Sequence, residues 1–260
     1  MAVKIGQADG TAAGARMGAS GMPFVLMYHS VEPYEQDPYN VTVSPRRFEQ
    51  QLDWLRARGM RGVSVGELLS ARRYGAARDL AGLSFDDGYA DFVQHALPAL
   101  RRHGFTATVF AIAGWLGGEN AWDAEGPRKR LLTAQQLRQL AGAGIEIGSH
   151  GLCHVSLPSV TDAALADETA GSRRMLQEAT GQDVAGFCYP YGDIDDRVLA
   201  QVKAAGYHYG CAIWPSPLSG RHALPRTYIG DADHSLRMRA KWMRHKLRWL
   251  GHSGYTESPR

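Results

Sequence analysis

Short apolar segments alternate with helix-forming segments along most of this chain. After the first apolar segment comes a helix signal in which Ser44 can act as the N-cap, Pro45 suits the first turn and Gly59 ends the helix. The alternation recurs six or more times, which predicts a parallel α/β architecture, either a doubly wound sheet or a barrel. The predicted strands are 24–29, 62–65, 80–85, 106–112, 145–148, 186–189, 207–213 and 226–229, and the predicted helices are 45–59, 66–73, 90–103, 133–142, 161–180, 194–205 and 233–250.

The length of 260 residues favours one α/β domain rather than two. Residues 1–22 are rich in glycine and alanine, and we expect them to form a flexible tail. Residues 23–232 are predicted to form the single domain. Residues 233–260 are predicted to form a basic helix and tail that pack on the domain or flank it.

Polar residues follow several of the predicted strands at the point where each strand ends. Asp86 and Asp87 follow one strand, His150 a second and Tyr191 a third, while His29 ends the first. In parallel α/β proteins the active site lies at the carboxyl ends of the strands. The sequence therefore predicts that these side chains share one site.

Two adjacent carboxylates and two spaced histidines indicate a metal site. His150 and His154 are four residues apart, so they can share one face of a helical turn and bind one ion. Asp86 and Asp87 stand on a tight turn that closes a strand. Because neighbours on an extended chain point in opposite directions, the two carboxylates can have different functions. Catalytic zinc usually has three protein ligands, and Asp87, His150 and His154 fit that count. Each pattern alone would suit a polar turn or two surface histidines, but together they favour a metal site with a spare carboxylate that can activate water.

Three segments together resemble a known family. Leu83-Ser84-Phe85-Asp86-Asp87-Gly88, then His150-x-x-x-His154, then Tyr189-Pro190-Tyr191-Gly192 are similar to the first three motifs of the polysaccharide deacetylases, the NodB-homology domain of carbohydrate esterase family four. The resemblance extends from about Pro23 to Ile229. It implies a distorted (β/α) barrel with fewer than eight repeats. It also implies metal-dependent removal of an N-acetyl group, less often an O-acetyl group, from a sugar.

The resemblance also implies roles for individual residues. By motif position Asp86 is the general base, Asp87, His150 and His154 are the metal ligands, and the backbone N–H of Tyr191 is an oxyanion donor. The implied cofactor is one divalent metal ion. Two histidines and a carboxylate favour zinc and also suit cobalt, nickel, iron or manganese.

The chain departs from the family pattern at two positions. The third motif commonly begins with an arginine that orients the catalytic aspartate, and this chain has Cys188 there. Arg226, in the last predicted strand, is the expected substitute, the alternative being a surface arginine in a salt bridge. The family's general acid is a histidine in a Leu-x-His context, which has no clean match here. His29 is the candidate, ahead of His208 and His234.

Composition limits the choice of partners. A net charge of +3 is too small to indicate a nucleic-acid partner, and no segment is apolar enough to span a membrane. Three cysteines at unhelpful spacings for disulfides favour a reducing compartment, so we expect a cytoplasmic protein, with export as the alternative. The basic helix 233–250 could contact an anionic membrane, although a solvated basic face is commoner. The sequence does not specify an oligomeric state.

The predicted function is therefore a metal-dependent deacetylase that acts on an N-acetylated carbohydrate. Two alternatives keep the fold: a catalytically inactive glycan-binding domain, and a metal hydrolase acting on a non-sugar cyclic amide. The missing arginine at Cys188 favours both alternatives, whereas the intact Asp86 opposes the first. Aromatic side chains that could stack on sugar rings are Trp115, Trp122, Tyr191 and Trp214.

Overall fold

A parallel sheet forms the centre of the protein in the computed structural model, which describes residues 21–250. The eight predicted strands are all present, each within two residues of its predicted bounds. The strands are β1 (Val25–Tyr28), β2 (Ser30–Val31), β3 (Thr42–Val43), β4 (Arg61–Val63), β5 (Leu80–Phe85), β6 (Thr108–Ala111), β7 (Glu146–Ser149), β8 (Gly186–Cys188), β9 (Tyr209–Ala212), β10 (Leu224–Pro225) and β11 (Thr227–Tyr228).

The nine strands of this sheet follow the order β10-β9-β8-β7-β6-β5-β1-β11, with β4 paired to the start of β5, and β2 pairs separately with β3. β10 and β11 belong to one stretch of chain on either side of Arg226. β10 pairs with β9 through Leu224 and Cys211, and β11 pairs with β1 through Thr227 and Leu26. This stretch joins the two edges of the sheet and nearly closes it. The prediction of a distorted (β/α) barrel is confirmed, and the doubly wound layout is wrong.

Helices on the outside of the barrel connect successive strands. Their first turns use side-chain caps: Ser44 accepts a hydrogen bond from the Arg47 backbone, and Thr133 and Gln136 form a capping box. The helices are α1 (Pro45–Arg56), α2 (Val65–Arg73), α3 (Leu97–His103), α4 (Ala134–Gly142), α5 (Asp162–Ala166), α6 (Ser172–Thr180), α7 (Asp196–Ala204) and α8 (Ser235–Trp249).

Two of the predicted helices contain a wider turn. A π-helical turn, Phe92–Ala96, precedes α3, and another, Asp167–Gly171, separates α5 from α6. Such turns insert an extra residue and often occur at functional sites. The turn Asp167–Gly171 therefore interrupts the predicted helix 161–180.

The strands are buried on both faces, as expected when helices cover a parallel sheet. Between barrel and helices, the Tyr28 ring lies 5.3 Å from the Phe48 ring of α1 and 5.2 Å from the Phe85 ring. Gly186 leaves room for the Tyr209 side chain, because a Cβ at Gly186 would lie 2.3 Å from that ring. This dense packing fixes the strand ends on which the site is built.

The expected flexible tail, residues 1–22, lies almost entirely outside the described residues, and so does the end of the predicted C-terminal tail. The division of the chain at residues 22 and 232 stays a prediction. The predicted basic helix is present as α8, and its Trp242 ring meets the Trp54 ring of α1 at 6.5 Å. None of the helices within residues 21–250 has the length and apolar character needed to cross a bilayer.

Candidate metal centre

Asp86 and Asp87 form the turn that ends β5. The Asp86 backbone N–H still donates to the Tyr28 carbonyl oxygen of β1, at 2.9 Å. Asp87 then adopts a left-handed conformation with φ of 69°, and Gly88 follows with φ of 71°. The two carboxylates therefore diverge because the chain turns after Asp86. The predicted tight turn is present, but Asp87 itself has a left-handed backbone and not an extended one.

Asp87 lies against both predicted histidine ligands. Its Oδ1 is 3.3 Å from His150 Nε2 and 3.4 Å from His154 Nε2, and all three side chains are buried. A tetrahedral site with metal–ligand distances of about 2.0–2.1 Å separates its ligands by about 3.3–3.4 Å. Asp87 Oδ1 is buried and has no hydrogen-bond partner within residues 21–250. These three groups therefore fit a small divalent cation.

The segment that carries the two histidines is a loop and not a helical turn. Gly151 and His154 both have left-handed backbones, with φ of 81° and 57°. The prediction that helical spacing brings the two imidazoles together is wrong, and the loop conformation does so instead. Glu168 supports this loop by accepting the backbone N–H groups of Leu152 and Cys153, at 2.6 and 3.1 Å.

The outer nitrogen of each imidazole has its own polar neighbour. His150 Nδ1 lies 2.8 Å from the Cys188 carbonyl oxygen, to which it donates. His154 Nδ1 lies 3.2 Å from the Tyr191 hydroxyl. Such contacts fix the ring orientation and leave the unprotonated Nε2 for a cation. The nearby imidazoles overcome the effect of burial and hold the pKa of Asp87 well below its usual range.

Asp86 is bound by Arg226 in a fully buried, two-pronged ion pair. Nη1 donates to Oδ1 at 2.6 Å, and Nη2 donates to Oδ2 at 2.7 Å. Burial alone would raise the pKa of Asp86, but Arg226 outweighs burial and holds that pKa below its usual range. Asp86 is therefore ionised at neutral pH.

Arg226 is positioned from three further sides. Nε donates to the Ala212 carbonyl oxygen at 3.1 Å, Nη1 to Ser84 Oγ at 3.0 Å, and Nη2 to Cys188 Sγ at 3.1 Å. The structure thus places Arg226 against Asp86, as predicted. The guanidinium lies beside Cys188, the position at which the family pattern has an arginine. Its catalytic role stays a prediction.

His29 also lies at this site. Its Nε2 is 3.9 Å from Asp86 Oδ2, and the side chain is 16% exposed, so solvent reaches it. The other two candidates are elsewhere: His208 is exposed before the start of β9, and His234 is exposed at the N-cap of α8. His29 is the candidate acid that the fold places beside Asp86.

Aromatic rings surround His154. The Trp122 ring lies 4.7 Å and the Tyr191 ring 4.6 Å from the imidazole, and Trp115 lies 6.0 Å behind Trp122. Tyr191 has a left-handed backbone with φ of 59° and a half-exposed side chain. Trp214, the fourth predicted aromatic, is largely exposed after β9 and does not pack on His154.

Two buried charged residues near the site were missed from the sequence. Glu168 lies in the π-helical turn between α5 and α6, and a helical pattern gives no sign that it faces a loop. Lys129 donates to Ser30 Oγ at 2.7 Å and Thr42 Oγ1 at 2.8 Å, which ties the Trp122 loop to β2 and β3. Nothing in the spacing of these residues indicates either contact.

Replacing Glu168 with alanine is expected to weaken metal binding about 10–100-fold, the usual effect of removing a group that orients ligands. The loop would lose the acceptor for two backbone N–H groups, so His150 and His154 would be held less firmly. Competition with a fluorescent zinc chelator measures the affinity. Glu178→Ala, at an exposed position of α6, is the matched control and should leave it unchanged. Unaltered affinity in Glu168→Ala would refute the supporting role.

Comparisons with known proteins agree on one family. The model of the polysaccharide deacetylase family matches residues 74–210, more than half of the chain. The Bacillus subtilis protein YxkH, named as a candidate polysaccharide deacetylase, is 28% identical over 210 residues, which are 79% of this chain and 70% of that protein. The poly-beta-1,6-N-acetyl-D-glucosamine N-deacetylase of Staphylococcus aureus is 25% identical over 205 residues, 74% of this chain and 69% of that protein.

Solved structures share the fold. The Streptococcus pyogenes deacetylase PplD, determined with acetate, has a TM-score of 0.72 and 22% identity, covering 86% of this chain and 99% of that one. BC0361, a polysaccharide deacetylase from Bacillus cereus, has a TM-score of 0.71 and 24% identity, covering 85% and 69%. At these identities the likeness concerns the barrel.

Proposed function

This chain belongs to the polysaccharide deacetylase family, and from that premise we propose that it uses one divalent metal ion to hydrolyse the N-acetyl group of an amino sugar in a carbohydrate. The observation that carries the proposal is the division between the two adjacent carboxylates. Asp87 faces His150 and His154, whereas Asp86 faces Arg226. One carboxylate is thus available to a cation and the other to a proton.

The proposed substrate is a polymer, oligomer or precursor that contains N-acetylglucosamine or a similar sugar. The Staphylococcus aureus relative is named for such a polymer. Trp122 and the half-exposed Tyr191 flank His154, where rings can stack on the apolar face of a sugar. These contacts support a carbohydrate substrate.

Asp86 would act as the general base. A divalent ion held by Asp87, His150 and His154 would supply Lewis acidity and lower the pKa of water. Asp86 is not needed as a ligand, so it can accept the proton of the attacking water. Arg226 holds both carboxylate oxygens and keeps Asp86 ionised before the reaction.

The remaining two roles belong to Tyr191 and His29. The backbone N–H of Tyr191 would donate to the oxyanion that develops on the amide carbonyl, a contact worth roughly 2.7–4 kcal/mol in other hydrolases. The sugar amine needs a proton to leave, and His29, near Asp86, would donate it. Zinc is the metal that this ligand set favours.

The contact of Arg226 with Asp86 also bears on the two alternatives. Both were favoured by the absence of an arginine at Cys188. Because Arg226 provides two hydrogen bonds to Asp86, that absence no longer favours an inactive domain or a cyclic-amide hydrolase.

Removing the metal is expected to abolish acetate release, and adding zinc is expected to restore it. The test compares chelator-treated and zinc-loaded protein on β-1,6- and β-1,4-linked N-acetylglucosamine oligomers, with a cyclic imide as control. Acetate release that survives complete metal removal would refute the metal dependence. Hydrolysis of the imide alone would replace the proposed sugar substrate with the cyclic amide.

A further inference from the structure

One face of α8 fixes the helix to the barrel. Met238 is buried, Trp242 meets Trp54, and His245 Nε2 lies 3.1 Å from the Met22 carbonyl oxygen. Since α8 begins just after β11 and reaches Met22, which precedes β1, it runs antiparallel to the strands along the barrel wall. The metal centre lies at the end of the barrel where α8 begins.

The opposite face of α8 carries a second apolar stripe, which is exposed. Its members are spaced by four and three residues in turn, so they share one helix face. Leu236 is 70%, Leu247 66% and Leu250 68% exposed. A contiguous exposed apolar surface of this kind marks an interaction site. We call these residues the outer stripe: Leu236, Ala240, Met243 and Leu247 of α8, and Leu250 directly after its end.

Cations border the outer stripe on both sides. By helical position, Arg237 and Arg244 lie along one side, and Arg239 and Lys246 along the other. α8 contains no Asp or Glu. Within residues 21–250, no carboxylate forms an ion pair with Arg237, Arg239 or Arg244. Arg237 and Arg244 line a groove that also contains Asp37, Asp231 and Asp233, whereas the groove lined by Arg239 and Lys246 contains no carboxylate of the described residues. The positive charge on the Arg239 side of the stripe therefore favours an anionic partner.

This charge pattern disfavours two other occupants. The spacing of the outer stripe suits a coiled coil with a second copy of the chain. The cations that flank the stripe on the two copies would then face and repel each other. Residues 1–20 and 251–260 each contain one acidic residue, Asp9 and Glu257, so neither matches the cations. The stripe needs an extended surface that is both apolar and negative.

We propose that the outer stripe binds the surface of a membrane rich in anionic phospholipid. α8 would lie flat, with leucine side chains in the acyl boundary and the flanking cations at the phosphates. A groove of about 700 Å³ between α8 and the amino ends of β1 and β5 adds apolar surface from Phe24 and Leu80, with Arg78 and Lys246 in its lining. Because α8 lies along the barrel wall and the metal centre lies at one end of the barrel, a membrane bound to the outer stripe would not cover the metal centre.

Vesicle co-sedimentation of the full chain tests the proposal. We expect binding to phosphatidylcholine vesicles that contain phosphatidylglycerol, little binding to phosphatidylcholine alone, and release at high salt. The double variant Leu236→Gln/Leu247→Gln should bind at least about tenfold more weakly, because two leucine side chains would no longer enter the acyl boundary of the bilayer. Met175→Gln, an exposed position on α6, is the matched control and should bind like the wild type.

Folding and other occupants are monitored in the same experiment. Acetate release from a soluble oligomer should be equal in the wild type, the double variant and Met175→Gln, since none of the changed residues lies at the metal centre. If the double variant is inactive, the single variant Leu247→Gln is used in its place. No binding of the wild type to anionic vesicles would overturn the proposal. Equal binding by the double variant, or a dimer in sedimentation that the double variant abolishes, would also overturn it.

Discussion

Asp86→Asn is expected to lower the turnover number for acetate release by about 10²–10⁴-fold, the usual contribution of a general base. The amide keeps the shape of the carboxylate and one oxygen that can accept from Arg226, but it cannot take a proton from water. Metal content should stay near one ion per chain, because Asp87, His150 and His154 are unchanged. Steady-state kinetics and metal analysis of the same preparation measure both quantities.

Asp87→Asn is the matched comparison, because it makes the same chemical change at the adjacent residue. It should lose the metal as well as the activity, since Asp87 Oδ1 faces both histidines. If Asp86→Asn loses the metal while Asp87→Asn keeps the metal and loses the activity, the proposed roles of the two carboxylates must be exchanged. If Asp86→Asn turns over like the wild type, Asp86 is not the base.

The fold could be predicted from the sequence because its signals are local. Short apolar runs predict buried strands such as β5, and the Ser-Pro pair at 44–45 predicts the helix cap at Ser44. Closure of the barrel could not be read in this way. It depends on two two-residue strands, β10 and β11, that pair with opposite edges of the sheet. Strands that short leave no periodic pattern.

The candidate site was predictable as a set of residues and not as a geometry. Asp86, Asp87, His150 and His154 stand at strand ends, and parallel strands bring such ends together. The sequence predicted a tight turn at the two aspartates and helical spacing of the two histidines. Left-handed backbones at Asp87 and His154 produce the actual arrangement. Asp and His are enriched among left-handed residues other than glycine, but only a few per cent of non-glycine residues are left-handed, so residue type alone does not predict this conformation at a given position.

Long-range contacts of charged residues were the hardest to predict. Arg226 and Asp86 are 140 residues apart, and only the gap at Cys188 in the family pattern suggested their contact. Glu168 had no such guide, because its orientation depends on the extra residue of a π-helical turn. In both cases a buried charge needs a partner, but the sequence does not say which one.

Arg226→Met is expected to lower the free energy of unfolding by about 3–5 kcal/mol at neutral pH, because it leaves the Asp86 carboxylate buried without its counter-ion. Arg226 holds the pKa of Asp86 below its usual range, so in the wild type this pair stabilises the fold above the unfolded carboxyl pKa and the effect is lost as pH falls. In the variant, burial raises that pKa. The stability difference should therefore be largest at neutral pH and shrink in acid.

The pH dependence of activity is a second measurement, and it would not change if the role of Arg226 were purely structural. With the pKa of Asp86 raised, the acid limb of kcat/KM should shift to higher pH in Arg226→Met, while metal content is retained. Cys188→Arg added to this variant should restore part of the turnover, because Cys188 Sγ lies 3.1 Å from the guanidinium it would replace. Cys188→Arg alone should destabilise the protein, since two cations would then face one buried carboxylate. An Arg226→Met enzyme with the wild-type turnover number and pH profile would show that Asp86 needs no orienting arginine.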